Sequence, residues 1–160
     1  MALDIVLAYD RQSQVRELFA EYMDMLLEGD PSFAEYLKIQ NYDDELKNIS
    51  HKYGLPDGRM YLVYCDEKLA GSIALRKLSN ENCELKRLYI KPEFRRRGIA
   101  GELLRRLISD AREIGYQYML LDTLPFLQTA IGMYKRMGFY EIERYNDSPM
   151  DTSIYMKLDL

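Results

Sequence analysis

One segment in the second half of the sequence restricts the choice of fold more than any other. A β-rich apolar run from Cys83 to Ile90 is followed by a polar stretch and then by a strong helix pattern from Gly98 to Gly115. A second apolar run, from Tyr118 to Leu121, comes directly after that helix pattern. A strand, a helix and a strand in this order have the length of a crossover between parallel neighbours. The segment therefore predicts one parallel strand pair with a helix packed against it.

The strands outside this crossover are predicted to be antiparallel. Two apolar runs, from Met60 to Cys65 and from Leu69 to Leu75, are joined by a short polar turn, which is typical of a β-hairpin. A first short strand is predicted at Ile5 to Tyr9, and two last strands at Phe139 to Arg144 and Ile154 to Leu158. We therefore predict an α/β fold with a mixed, mostly antiparallel central sheet of about seven strands and helices on both faces.

Helical periodicity fills most of the remaining sequence. Apolar residues recur at three- and four-residue intervals from Val15 to Leu26 and form one face of a helix. Two shorter helical regions are predicted, one around Phe33 and one between Asp43 and Ile49. A further helix is predicted to start at Pro125 and to end at Gly138. Because no repeat or linker divides the sequence, residues 1–160 are expected to form a single domain.

Composition and charge disfavour several classes of protein. Hydrophobic residues make up 48% and charged residues 30% of the chain, which is usual for a soluble globular protein. The formal net charge of −4 disfavours a surface built to hold a nucleic acid. No apolar run approaches the roughly 20 residues that cross a bilayer, and no signal-peptide pattern is present, so a cytoplasmic protein without a membrane partner is expected. Cys65, Cys83 and His51 are too dispersed to predict a metal site.

The polar stretch before the long helix has the residues that an anion site requires. The run from Arg95 to Ala100, Arg-Arg-Arg-Gly-Ile-Ala, places a glycine and a small residue at the helix start. Free N–H groups and the positive end of the helix dipole favour phosphate there. The missing side chain of Gly98 lets a ligand approach the backbone. A solvated charge run beside a loop glycine would contain the same residues, so the neighbouring sequence decides between the two interpretations.

The neighbouring sequence is similar to a known enzyme family. The run from Leu88 to Ala100 resembles the central motif of the GNAT superfamily of N-acetyltransferases: Arg or Gln, any two residues, Gly, any residue, then Gly or Ala. It matches at Arg95, Gly98 and Ala100. The family's Ala-x-x-x-Tyr-x-x-x-Gly-Phe segment is matched by Ala130, Tyr134, Gly138 and Phe139. A bacterial subgroup of unassigned substrate resembles the chain more widely, over about residues 60–160.

The resemblance implies a reaction and a cosubstrate. It implies transfer of an acetyl group from acetyl-CoA to a primary amine of a small molecule or peptide, by direct attack and without a metal. Backbone groups at the end of the fourth strand are then expected to hold the pantetheine arm and the thioester carbonyl. The residues expected to bind acetyl-CoA are Leu88, Tyr89, Ile90, Arg95, Arg96, Arg97, Gly98, Ile99, Ala100, Leu127 and Ala130. Leu127 departs from the family pattern, because many members have an asparagine at that position.

The resemblance also assigns an acid and a base. Tyr134 matches the general acid, since a phenol is protonated at neutral pH and can give its proton to a thiolate. It also lies on an apolar helix face, which is compatible with that role. Glu84 is our choice of general base, because burial can raise the pKa of a glutamate toward the working pH. Alternatively, Glu84 pairs with Lys86 or Arg87, and Asp122 is a rival base.

The acceptor amine is expected to enter between the first helices and the last hairpin. The residues predicted to bind it are Tyr22, Phe33, Asn146 and Asp147, with Asp30 and Tyr36 in the same region. Two other classes of function remain open from sequence: an acyl-CoA sensor of the same fold that performs no chemistry, and a nucleic-acid-binding protein that uses the three arginines. Homodimers are common in the family, so a homodimer is the oligomer that the resemblance implies.

Overall fold

One seven-stranded sheet runs through the computed structural model, which describes residues 1–160. Its strands are β1 (Leu3–Leu7), β2 (Arg59–Cys65), β3 (Lys68–Lys77), β4 (Asn82–Ile90), β5 (Tyr118–Thr123), β6 (Tyr140–Ile142) and β7 (Ile154–Asp159). They are arranged in the order β1-β2-β3-β4-β5-β7-β6. Only β4 and β5 pair in parallel, and all other neighbours are antiparallel. The predicted mixed, mostly antiparallel sheet is confirmed.

Helices cover both faces of this sheet. They are α1 (Gln12–Gly29), α2 (Phe33–Ile39), α3 (Tyr42–Lys47), α4 (Ile49–Tyr53), α5 (Ile99–Ile114) and α6 (Gln128–Arg136), with a 3-10 turn at Pro92–Phe94. Alternate residues of β2 face opposite ways: Tyr61 and Val63 share a core with α5, whereas Met60 and Leu62 share one with α1. Each large apolar side chain buried in this way contributes roughly 1.5–3 kcal/mol to folding.

Several element boundaries differ from those predicted. Helix α6 begins at Gln128 rather than Pro125, because residues 124–127 form a turn closed by the Leu127 N–H on the Leu124 carbonyl at 3.0 Å. The predicted helix between Asp43 and Ile49 is interrupted at Asn48, and the unpredicted α4 follows. Strand β1 is shifted toward the N-terminus, where Leu3 pairs with Cys65. None of the helices is long and apolar enough to cross a membrane.

An irregularity in β4 determines where the site forms. Arg87 has a φ of 58°, and the register with β3 shifts so that Ser72 pairs with Tyr89 but Ala74 pairs with Lys86. Such a β-bulge bends and twists the strand that contains it. Strands β4 and β5 pair only from Asn82 to Glu84 on β4. Beyond Glu84 the β5-facing edge of β4 has no strand partner, so a gap opens between the two parallel strands.

A buried ion pair holds the bulge against the helical layer. The Arg87 guanidinium donates from Nε to Oε2 of Glu45 at 2.7 Å and from Nη2 to Oε1 at 2.8 Å. It also donates to Gln40 Oε1 at 2.7 Å. Burial would raise the pKa of Glu45, but the charges of Arg87 and Lys52 outweigh this effect and lower the pKa to about 2. Helices α2 and α3 are therefore tied to the strand that borders the gap.

Replacing Glu45 by glutamine is expected to destabilise the protein by about 3 kcal/mol at neutral pH, because it leaves the Arg87 charge buried without its partner. The ordinary pKa of a glutamate, 4.5, lies above the folded-state value of about 2. The stabilisation is therefore complete above about pH 4.5 and is lost as the pH falls toward about 2. Urea denaturation at several pH values across this range gives the free energy of unfolding as a function of pH. This free energy should change less steeply with pH for Glu45→Gln than for wild type or for the exposed control Glu28→Gln. An equal pH dependence of the unfolding free energy in all three proteins would contradict the ion pair.

Candidate active site

The predicted anion loop precedes α5 and exposes its backbone. Gly98 has a φ of 77° and caps the 16-residue helix, and a Cβ added to it would meet no atom within 4 Å. The first bonded N–H of the helix start is that of Glu102, which donates to the Gly98 carbonyl at 3.2 Å. The N–H groups from Arg96 to Gly101 have no acceptor in the protein. This cluster of free donors at a helix N-terminus suits a phosphate or pyrophosphate group.

The arginines of the loop are exposed, and two of them also order it. Arg95 donates from Nε to the Ile90 carbonyl at 2.9 Å, and its guanidinium lies 5.6 Å from the centre of the Tyr89 ring. The Arg97 guanidinium lies 5.5 Å from the centre of the Phe94 ring. Both side chains therefore contact the end of β4 or the 3-10 turn that lead into the loop.

A cavity occupies the gap between β4 and β5. Its walls come from α1, α2, the middle of β4, the end of β5 and α6. They are formed by Tyr22, Met25, Leu26, Phe33, Tyr36, Gln40, Leu85, Lys86, Arg87, Leu88, Asp122, Thr123, Leu124, Leu127, Ala130, Tyr134 and Ser153. Leu88, Leu127 and Ala130, three of the residues predicted to bind acetyl-CoA, thus line one cavity. Tyr89 and Ile90 point their side chains into the two cores, so only their backbone is available to a ligand.

Tyr134 presents its phenol to this cavity. The residue is 5% exposed, and its ring packs 5.6 Å from that of Phe139. Its hydroxyl makes no hydrogen bond within the protein, and the oxygen is not fully enclosed by protein atoms. Burial, with smaller contributions from Tyr22 and Asp122, raises the pKa of Tyr134 well above the ordinary value of a phenol. The hydroxyl is therefore a protonated donor without a partner, as an acid in a substrate cavity must be.

The two carboxylates considered as bases have different surroundings. Glu84 is 4% exposed and is not part of the cavity wall; its Oε2 accepts from the Tyr145 hydroxyl at 2.6 Å, and its Oε1 lies 3.3 Å from Arg76 Nε. Lys86 Nζ is 4.0 Å from the same oxygen, whereas Arg87 pairs with Glu45 instead. Asp122 lines the cavity, and its Oδ2 accepts from Tyr36 and from Asn146, the latter at 3.1 Å. Its Oδ1 accepts no hydrogen bond from the protein.

The residues predicted to bind the acceptor are only partly brought together. Tyr22 and Phe33 line the cavity, and burial is the main cause that raises the pKa of Tyr22 to about 12. Asn146 lies beside them through its bonds to Tyr36 and Asp122. Asp147 is exposed and makes no hydrogen bond or ion pair. Asp30 caps the turn at Ser32 through bonds of 2.6 and 3.1 Å.

The sequence did not single out Gln40 or Lys86 as residues of the acceptor site. Both line the cavity, and Lys86 is 7% exposed. Strand alternation places neighbouring residues on opposite faces, so Lys86 and Arg87 should point apart. The bulge turns both toward Gln40, whose Oε1 accepts from Lys86 at 3.4 Å and from Arg87 at 2.7 Å. The available signal was two adjacent charged residues within an otherwise apolar strand.

Three features of this site suit a protein that binds an acyl-CoA. They are the unpaired edge of β4, the free N–H groups at the start of α5 and the phenol in the gap between β4 and β5. Comparison with known proteins agrees with this class. Residues 14–139 match the model of the acetyltransferase (GNAT) family. This chain belongs to the GNAT family of acetyltransferases, as the central motif predicted.

Individual relatives support the same family. An uncharacterized N-acetyltransferase of Dictyostelium discoideum is 33% identical, and the match covers 100% of both chains. An uncharacterized N-acetyltransferase of Schizosaccharomyces pombe is 37% identical over 80% of each chain. The PaiA N-acetyltransferase of Thermoplasma acidophilum, solved in complex with coenzyme A, has the same fold, with a TM-score of 0.78, 20% identity and 100% coverage of both chains. Since two of these relatives are eukaryotic, the predicted restriction to a bacterial subgroup is not confirmed.

Proposed function

We propose that this protein transfers the acetyl group of acetyl-CoA to a primary amine of a small molecule or peptide by direct attack. The observation that carries the proposal is the Tyr134 hydroxyl, a buried donor without a protein partner that faces the cavity where β4 and β5 separate. The GNAT relatives, and the PaiA structure with its coenzyme A, support acetyl-CoA as the cosubstrate. No metal takes part in the proposed reaction.

The residues at the site fit acetyl-CoA in three places. The free N–H groups from Arg96 to Gly101 suit its pyrophosphate, and the open space at Gly98 leaves room for that group. The unpaired edge of β4 offers backbone donors and acceptors to the pantetheine amides and to the thioester carbonyl. Leu127 and Ala130 give the cavity an apolar wall beside that arm. Leu127 stands where the family pattern described above often has an asparagine, and it offers an apolar surface there instead of a polar group.

The proposed chemistry uses two protein side chains. Asp122 Oδ1, which has no protein partner, takes the proton from the acceptor ammonium, directly or through one water. The amine nitrogen then attacks the carbonyl carbon and forms the C–N bond. The tetrahedral intermediate releases its extra N–H proton to water as the C–S bond breaks. The departing sulfur receives a proton from the Tyr134 hydroxyl, which is recharged from water. Backbone N–H groups of β4 stabilise the oxyanion between the two steps.

Calorimetric titration with acetyl-CoA and thiol release across a panel of amines test the proposal. Saturable binding and amine-dependent thiol release are expected. The panel should include polyamines, amino acids and peptides with free N-termini. Binding without turnover on any amine would favour the alternative, an acyl-CoA sensor of the same fold. Absence of binding would overturn the proposal.

Asp122→Asn is expected to lower the turnover number roughly 100-fold, the low end of what a general base contributes. Glu84→Gln should change it less than about tenfold, because the Glu84 oxygens are held by Tyr145 and Arg76 outside the cavity wall. Both should bind acetyl-CoA like wild type. Steady-state rates at saturating acetyl-CoA and a common amine measure the difference. The reverse ranking would place the base at Glu84, acting through a water relay.

A further inference from the structure

Lys86 is a buried ammonium in the cavity wall with no close anionic partner. Its side chain is 7% exposed, and the nearest carboxylate oxygen, Oε1 of Glu84, is 4.0 Å from Nζ. That oxygen also lies 3.3 Å from Arg76 Nε, and the other oxygen of Glu84 accepts from Tyr145. The remaining polar contact of Nζ is a 3.4 Å bond to the neutral Gln40.

The other buried cations near Lys86 have an anionic partner. Glu45 forms a two-point ion pair with Arg87 and lies 3.0 Å from Lys52 Nζ. Glu45 therefore has no capacity left for Lys86. A buried ammonium is costly unless an anion pairs with it. Because Lys86 lines the substrate cavity, the partner that it lacks can come from the acceptor molecule.

A free anionic group lies across one aromatic ring from Lys86. The Lys86 Nζ is 6.0 Å from the centre of the Tyr36 ring, and the Tyr36 hydroxyl donates to Oδ2 of Asp122. Asp122 forms no ion pair in the protein and keeps Oδ1 without a partner. Arg87 also lines the cavity but is paired with Glu45, so the cavity presents one cation and one anion without a close charged partner, separated by about one tyrosine side chain. A molecule that carries a carboxylate a few bonds from its amine complements both charges.

We infer that the acceptor is an amine of the amino-acid class, whose carboxylate binds Lys86 while its ammonium binds Asp122. This inference rests on the proposed acetyl transfer and narrows its substrate class. It distinguishes free amino acids, and conjugates that keep an α-carboxylate, from polyamines and peptide amides. Charge-assisted bonds of this kind change affinity by about 10- to 100-fold.

Thiol release is to be measured for sets of three acceptors that share one side chain. Each set contains the natural amino acid, its α-amide and the corresponding amine without the carboxyl group. For at least one side chain, we expect kcat/KM for the free acid to exceed that of the amide by about tenfold or more. Lys86→Met should remove this preference, Lys86→Arg should preserve it, and the exposed control Lys77→Met should not alter it. Because the only ion pair of Lys86 is long, at 4.0 Å, and Glu84 keeps its contacts with Tyr145 and Arg76, Lys86→Met is expected to fold; its melting temperature and acetyl-CoA affinity check this.

A second readout uses binding alone. Each free acid and its amide are titrated into wild type and Lys86→Met saturated with coenzyme A. Stronger binding of the acid to wild type, lost in the variant, supports the inference even if turnover is too slow to measure. Equal kcat/KM for acid and amide, or no binding of any free acid, would overturn it. Turnover of amines and amides without an acid preference would leave acetyl transfer intact, whereas failure of acetyl-CoA binding would overturn the proposed function itself.

Discussion

Gly98→Glu is expected to weaken acetyl-CoA binding roughly 1,000-fold, because it places a carboxylate where the pyrophosphate should lie. The open space at a Cβ on this residue would accept the new side chain. Its charge would occupy the donors that the N–H groups from Arg96 to Gly101 offer to an anion. Juxtaposed like charges raise the free energy by several kcal/mol, which corresponds to the stated loss. Isothermal titration of acetyl-CoA into both proteins measures it.

The chain contains a matched control for this experiment at the other end of the same helix. Gly115 also has a positive φ, 109°, and a Cβ there would meet no atom within 4 Å. Glutamate at either position must adopt the left-handed backbone conformation, at a cost of about 1–3 kcal/mol in stability. Both variants should therefore melt at lower temperature, and only Gly98→Glu should lose acetyl-CoA affinity. Equal affinities in the two variants would contradict a phosphate site at Gly98.

The order of strands and helices could be predicted because it depends on local patterns. Two apolar runs around a short polar turn predicted β2 and β3, and the helix period from Gly98 to Gly115 separated two further apolar runs by the length of a parallel crossover. The element boundaries were less accurate where tertiary contacts decide them. The start of α6 is an example. Pro125 is a good first residue for a helix, but residues 124–127 form a turn in the cavity wall, and the helix begins after it.

The anion loop and the acceptor wall of the candidate site also differ in how well the sequence predicts them. The anion loop is one contiguous stretch, so its glycine, its arginines and the following helix could be recognised together in the sequence. The acceptor wall is assembled from Gln40, Lys86 and Asp122, which are far apart in the sequence. The positive φ of Arg87 places Lys86 and Arg87 on one side of β4, and strand alternation predicts the opposite. A residue other than glycine in that conformation carries no sequence signal.

Glu84 shows how tertiary contacts alter the interpretation of a carboxylate. The sequence placed Glu84 on β4, where it is 4% exposed, and pairing with Lys86 was considered as an alternative. The sequence could not show that Tyr145 and Arg76 would hold both oxygens, since one comes from the loop before β7 and the other from β3. Asp122 ends β5 at the point where it has separated from β4. Its location in the gap, rather than its residue type, is the reason for which we propose it as the base.

Tyr134→Phe is expected to lower the turnover number roughly 100-fold and to leave acetyl-CoA affinity and melting temperature unchanged. The hydroxyl has no partner in the protein, so its removal breaks no internal bond. Loss of the proton donor slows departure of the sulfur, and general acids contribute at least this factor. Thiol release at saturating acetyl-CoA and amine measures the effect. Tyr140→Phe is the control, because that exposed phenol bonds only to Asp159 at 2.6 Å and lies on β6.

The level and the shape of the pH profile of turnover together test Tyr134 as the proton donor. Because burial raises the pKa of Tyr134, its phenol keeps the proton as the pH rises from about 7 to about 9. Wild-type turnover should therefore show no decline over this range, while the acceptor amine becomes progressively deprotonated. Tyr134→Phe should keep the shape of that profile at a level about 100-fold lower. A variant that equals wild type at every pH would mean that Tyr134 only packs, and a water molecule would then have to protonate the departing sulfur.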